Sequence, residues 1–102
     1  MSRREKLHQM VAKQPADPFL HYGLAMELAK EGQVEEALKE FERTLNLDPG
    51  YIAVYFQKAN MLAGQGRTDE AKATLMKGIE TARQKKETQS ADEMQGLLDS
   101  LG

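Results

Sequence analysis

A chain of 102 residues has room for one modest hydrophobic core. It carries no cysteine, which excludes disulfides and thiolate metal sites, and no apolar run of about 18 residues, which excludes a membrane-spanning helix. Charged residues make up 29% with both signs interspersed and a formal net charge of −2, so no broad positive field draws nucleic acid or acidic lipid.

Ala, Leu, Glu, Lys, Gln and Met dominate while Val and Ile are scarce, which predicts helix throughout. The basic start, Met1-Ser2-Arg3-Arg4-Glu5-Lys6, is followed by no apolar core segment and is not a secretory signal, so the expected compartment is the cytoplasm. Leu7, Val11 and Pro15 stand 34 residues before Phe41, Leu45 and Pro49. Residues 1–15 therefore read as a half-repeat helix, the second half of an earlier unit. A helix A follows over about residues 18–31, with Asp17 as N-cap and Pro18 at the first helical position, where its missing N–H costs nothing. Leu20, Leu24, Ala25 and Leu28 form its apolar stripe. Gly32 ends it in the left-handed conformation. A helix B is expected over 34–47, with Ala37, Leu38, Phe41, Leu45 and Leu47 facing inward, and Asp48-Pro49-Gly50 as its stop.

The plan then recurs. Gly32-Gln33-Val34-Glu35-Glu36-Ala37 matches Gly66-Arg67-Thr68-Asp69-Glu70-Ala71 at the same offset, 66 − 32 = 34. The offset pairs Tyr22 with Phe56, Ala25 with Ala59, Leu28 with Leu62, Phe41 with Leu75 and Leu45 with Ile79. Repeat one spans 18–51 and repeat two 52–85, with a second helix A over 52–65 and a second helix B from Thr68. Ala25, Ala37, Ala59 and Ala71 sit where the paired helices cross, because a close antiparallel crossing needs a short side chain. No proline stands at 83 to end the last helix B, so it continues through Arg83-Gln84-Lys85-Lys86. Ser90-Ala91-Asp92-Glu93 reads as a capping box opening an amphipathic helix over 90–101, with Met94, Leu97, Leu98 and Leu101 on its apolar side. Such a helix suits the open end of an array.

The pattern resembles the tetratricopeptide repeat, whose signature over 34 residues is W-x2-L-G-x2-Y, then A-x3-F, then P. Repeat one matches with Leu24-Ala25, Leu28, Ala37, Phe41 and Pro49, and repeat two with Tyr55, Ala59, Leu62, Ala71 and Leu75. His21 replaces the usual tryptophan, Lys58 the usual leucine and Arg83 the terminal proline, while Gly78 stands where repeat one has Thr44. The resemblance implies one all-α domain over 1–102, a short right-handed solenoid of antiparallel helix pairs with about six helices. It also implies a protein–protein interaction scaffold that holds a peptide or partner segment on the concave face of its A helices. Carried over position by position, the partner-binding residues are Phe19, Tyr22, Met26, Ala29 and Lys30 from repeat one, and Ala53, Phe56, Asn60, Ala63 and Gly64 from repeat two, with Tyr51 at the junction. Phe19, Tyr22, Met26 and Phe56 give an apolar, aromatic surface of the kind interfaces use, and Asn60 offers hydrogen bonds to an extended ligand. The same stripe would also serve as core, or as the interface of a homodimer, which sedimentation at micromolar concentration tests. Relatives that clamp a chaperone's C-terminal carboxylate place lysine where Tyr22 and Phe56 stand, so a charged clamp is not expected.

No enzyme is expected. Glu5-Lys6-Leu7-His8 has the Glu-x-x-His spacing of di-iron bundles but lacks the second motif such a site needs. His8 and His21 read as structural. Gly64-Gln65-Gly66 is a turn with no strand before it, so it is no nucleotide loop. Glu35-Glu36 and Asp69-Glu70 sit at the positive ends of B helices, which accounts for them without acid–base chemistry. Lys85-Lys86 is too short for a nucleic-acid patch. No cofactor or metal is called for.

Overall fold

A computed structural model describes residues 1–102. The chain is all-α, with six helices and no strand: α1 (Arg3–Lys13), α2 (Pro18–Lys30), α3 (Val34–Leu47), α4 (Ile52–Gly64), α5 (Thr68–Gln84) and α6 (Thr88–Ser100). It divides into two compact units, Met1–Pro49 and Gly50–Gly102.

In the first unit α1 packs on α2 and α2 on α3. Ser2 caps α1 by accepting from the Glu5 amide at 3.1 Å, and Asp17 caps α2 by accepting from the Phe19 amide at 2.9 Å. Pro18 opens α2, as its lack of an N–H permits. The core comprises Leu20, Leu24, Ala25 and Leu28 from α2 with Ala37, Phe41 and Thr44 from α3, and Leu7 from α1. Arg3 pairs with Glu27 at 3.2 Å and Arg4 with Glu31 at 3.3 Å, tying α1 to α2 at the surface. Such exposed pairs add at most about 1 kcal/mol each. Leu47 does not face inward: it is 43% exposed, against the expectation from its hydrophobicity. Leu47 is the last residue of α3, one turn past Thr44, where the buried stripe ends.

In the second unit α5 lies between α4 and α6. Its core is Val54, Tyr55, Ala59, Leu62, Ala71, Leu75, Ile79, Ala82, Ala91 and Met94. All four crossing alanines, Ala25, Ala37, Ala59 and Ala71, are fully buried. Without a proline at 83, α5 reaches 17 residues against the 14 of α3, and it ends at Gln84, short of the expected Lys86.

One turn ends α2, α4 and α5 alike. The amides of Gly32 and Gln33 bond to the carbonyls of Ala29 and Leu28, those of Gly66 and Arg67 to Ala63 and Leu62, and those of Lys86 and Glu87 to Arg83 and Ala82. This turn requires a left-handed residue, with φ of 79° at Gly32, 74° at Gly66 and 61° at Lys86. It also moves the start of α6. The helix opens at Thr88, not after Ser90, and Glu87 occupies the N-cap with no side-chain hydrogen bond. The Ala91 amide already bonds the Glu87 carbonyl at 3.0 Å, so Ser90 lies inside the first turn and cannot cap it. Lysine at a left-handed position is strained. Lys86→Gly is therefore expected to raise stability by about 0.5–1 kcal/mol, read as a higher urea midpoint at unchanged slope.

Candidate functional site

In the first unit, Phe19, Tyr22, Met26 and Lys30 are spaced three, four and four residues apart, which puts them on one face of α2. Phe19 is 64% exposed, Tyr22 and Met26 are half-buried, and Lys30 is exposed. The Tyr22 ring leans on the core residue Phe41, with centroids 6.4 Å apart and planes tilted by 49°. Burial pushes the Tyr22 phenol up from its ordinary value, so it is neutral at physiological pH. The face grades from core at Tyr22 to solvent at Phe19.

In the second unit, Tyr51 is half-buried at the N-cap of α4, Phe56 is half-buried, and Asn60, one turn after Phe56, is exposed. Phe56 opens onto a cleft of about 470 Å³ between α4 and α6. Ile52, Ala53, Phe56 and Gln57 line it from α4, and Ser90, Glu93 and Met94 from α6. Gly50, Lys85 and Glu87 complete its rim, where the Lys85 ammonium donates to the Gly50 carbonyl at 2.8 Å. Ala53 and Phe56, both named by the family resemblance, line this cleft together. The α6 wall is built of Ser90, Glu93 and Met94, none of which the resemblance assigns to partner binding. The signal was available: Glu87, Ser90 and Glu93 recur at every third residue.

A tetratricopeptide repeat family model matches residues 28–91, more than half of the chain. The chain belongs to the tetratricopeptide repeat family. It is 34% identical over 59 residues to the uncharacterized protein MJ0572 of Methanocaldococcus jannaschii, a match covering 58% of this chain and 69% of that one. The solution structure of a tetratricopeptide repeat domain protein from Salinibacter ruber is similar at 33% identity with a TM-score of 0.79, covering 85% of this chain and 88% of that one. The TPR2B domain of yeast Sti1, solved in a complex with pHsp70, superposes with a TM-score of 0.88 over 96% of this chain and 78% of that one. At 21% identity this likeness shows the fold alone.

Where this tetratricopeptide repeat departs from its signature, the structure supplies the reason. His21, in place of tryptophan, is buried beside the equally buried Glu40. Its Nε2–H donates to the Pro15 carbonyl at 2.7 Å, and its Nδ1 is hydrogen-bonded to a Glu40 carboxylate oxygen at 2.7 Å. Arg43 donates to the other Glu40 oxygen, and the Thr44 hydroxyl donates to the Glu40 carbonyl at 2.9 Å. No buried side-chain nitrogen or oxygen lacks a partner. Gly78, in place of Thr44, is the point where α4 and α6 press on α5: a Cβ there would lie 2.5 Å from the Cβ of Tyr55 and 2.6 Å from the sulfur of Met94. His8 is exposed, and no group of three or more His, Cys, Asp or Glu side chains is placed to hold a metal. No helix is long and apolar enough to cross a membrane.

Proposed function

We propose that this chain is a cytoplasmic docking module that seats partner-protein segments on the faces of its A helices, α2 in the first unit and α4 in the second. Tetratricopeptide repeats are protein-interaction modules, and Sti1 supplies an example of the fold in complex with a protein ligand. The observation that carries the reading is Phe19, whose large apolar side chain is left 64% exposed on the same helix face as Tyr22 and Met26. An exposed aromatic beside adaptable methionine is the composition of an interface anchor. In the second unit Phe56 supplies the corresponding anchor at the α4–α6 cleft, with Asn60 beyond it to hydrogen-bond a partner backbone. Binding, not catalysis, is the work these groups support. The one buried ionisable pair, His21 with Glu40, is satisfied by bonds to each other, to the Pro15 carbonyl and to the exposed Arg43.

The test is capture of partners from the source organism, identification by mass spectrometry, and calorimetric titration of the recombinant partner. Phe19→Ser combined with Phe56→Ala is expected to weaken binding at least about tenfold, the loss of about 1.4 kcal/mol that even a modest anchor supplies. Phe19 is mostly exposed, so its replacement leaves the core intact. Undiminished affinity in a folded double variant would refute the proposal.

A further inference from the structure

We infer that the α4–α6 cleft takes an arginine side chain of the partner segment, an inference that rests on the docking reading above. Three observations in the second unit carry it. The cleft's lining includes two half-buried apolar side chains of α4, Ile52 and Phe56, the latter aromatic. Two carboxylates, Glu87 and Glu93, line the same cleft, and neither is in an ion pair. The only cation at the rim, Lys85, is held on the Gly50 carbonyl. Two acidic groups against one ammonium leave the cleft net negative.

That combination selects a long side chain with an apolar stem and a cationic head. The stem lies along Phe56 and Ile52, where desolvation favours it, and the ring face adds a cation–π attraction. The head meets Glu87 and Glu93, which can accept charge-assisted hydrogen bonds. A planar guanidinium with five donors serves two carboxylates at once better than a compact ammonium does, which favours arginine over lysine. An acidic segment is excluded by the same charges. The preference is opposite in sign to that of a carboxylate clamp. It arises where repeat two carries Phe56 and α6 carries the acids.

The probe is a synthetic array of short peptides in which an apolar anchor is flanked by arginine, citrulline, glutamine or glutamate, with hits retitrated in solution. Citrulline keeps the shape of arginine and removes its charge. Arginine peptides are expected to bind, with citrulline weakening them about tenfold near 0.15 M salt and the difference shrinking as salt rises. In Glu87→Gln/Glu93→Gln the tenfold preference should vanish while the apolar contribution persists. Both carboxylates are exposed, so far-UV circular dichroism should report an unchanged fold. If peptides bind with no preference for arginine, or prefer glutamate, or keep the preference in the double glutamine variant, the arginine site is wrong and the docking reading stands. If no peptide binds at all, both fall together.

Discussion

Gly78→Ala destabilises the protein by about 1–3 kcal/mol, the ordinary range for overpacking a filled core. On helix propensity alone the substitution should help, since alanine is favoured over glycine by about 1 kcal/mol in a helix interior. Sterics reverse the sign. The new methyl carbon would come 2.5 Å from the Cβ of Tyr55 and 2.6 Å from the sulfur of Met94. The Met94 thioether is flexible and can rotate away, but the Tyr55 Cβ is fixed to the backbone of α4, so α4 and α5 must separate. Gly96 provides the control. It lies exposed in α6 with nothing within 4 Å of its would-be Cβ, so Gly96→Ala gains about 0.5–1 kcal/mol. Urea unfolding of both variants checks the pair. Midpoints moving in opposite directions are expected. A rise at Gly78 as large as that at Gly96 would mean that α5 is not gripped there.

The contrast shows how far the sequence could be read. The offset of 34 located the helices and the buried alanines because periodicity reports which face of each element is apolar. The missing proline at 83 foretold the extra length of α5, since nothing there interrupts the backbone ladder. The start of α6 escaped because it depends on an exception to residue preference. Lys86 takes a left-handed conformation that glycine fills at 32 and 66, so the turn before α6 carried no glycine to mark it, and Ser90 was taken for the cap. Counting back from the buried alanine would have found it. Ala37, Ala71 and Ala91 each follow their left-handed residue by five positions, since 37 − 32, 71 − 66 and 91 − 86 agree. For the candidate site, Phe56 and Ala53 are named only through the family resemblance, and both line the α4–α6 cleft. The acidic wall is not named, because α6 breaks the period and its partner across the cleft is fixed only by packing.

His21→Leu costs about 3 kcal/mol, because it strands a buried charge. The imidazole hydrogen-bonds Glu40, and leucine offers the carboxylate nothing. Arg43 still reaches the other oxygen, which keeps the loss at the lower end of what breaking a buried pair costs, about 3–5 kcal/mol. The Pro15 carbonyl also loses its donor, but Pro15 is exposed and water replaces it. Comparison of the repeats shows that the two positions change together. The residues 34 places on from His21 and Glu40 are Tyr55 and Thr74, so repeat two has neither the base nor the acid. A double-mutant cycle tests that dependence. His21→Leu/Glu40→Leu should recover at least about 1 kcal/mol relative to the sum of the single changes, since removing both partners leaves no unpaired charge to desolvate. Strict additivity of the two losses would show that His21 stabilises the first unit by packing alone, as the tryptophan usual at that position would.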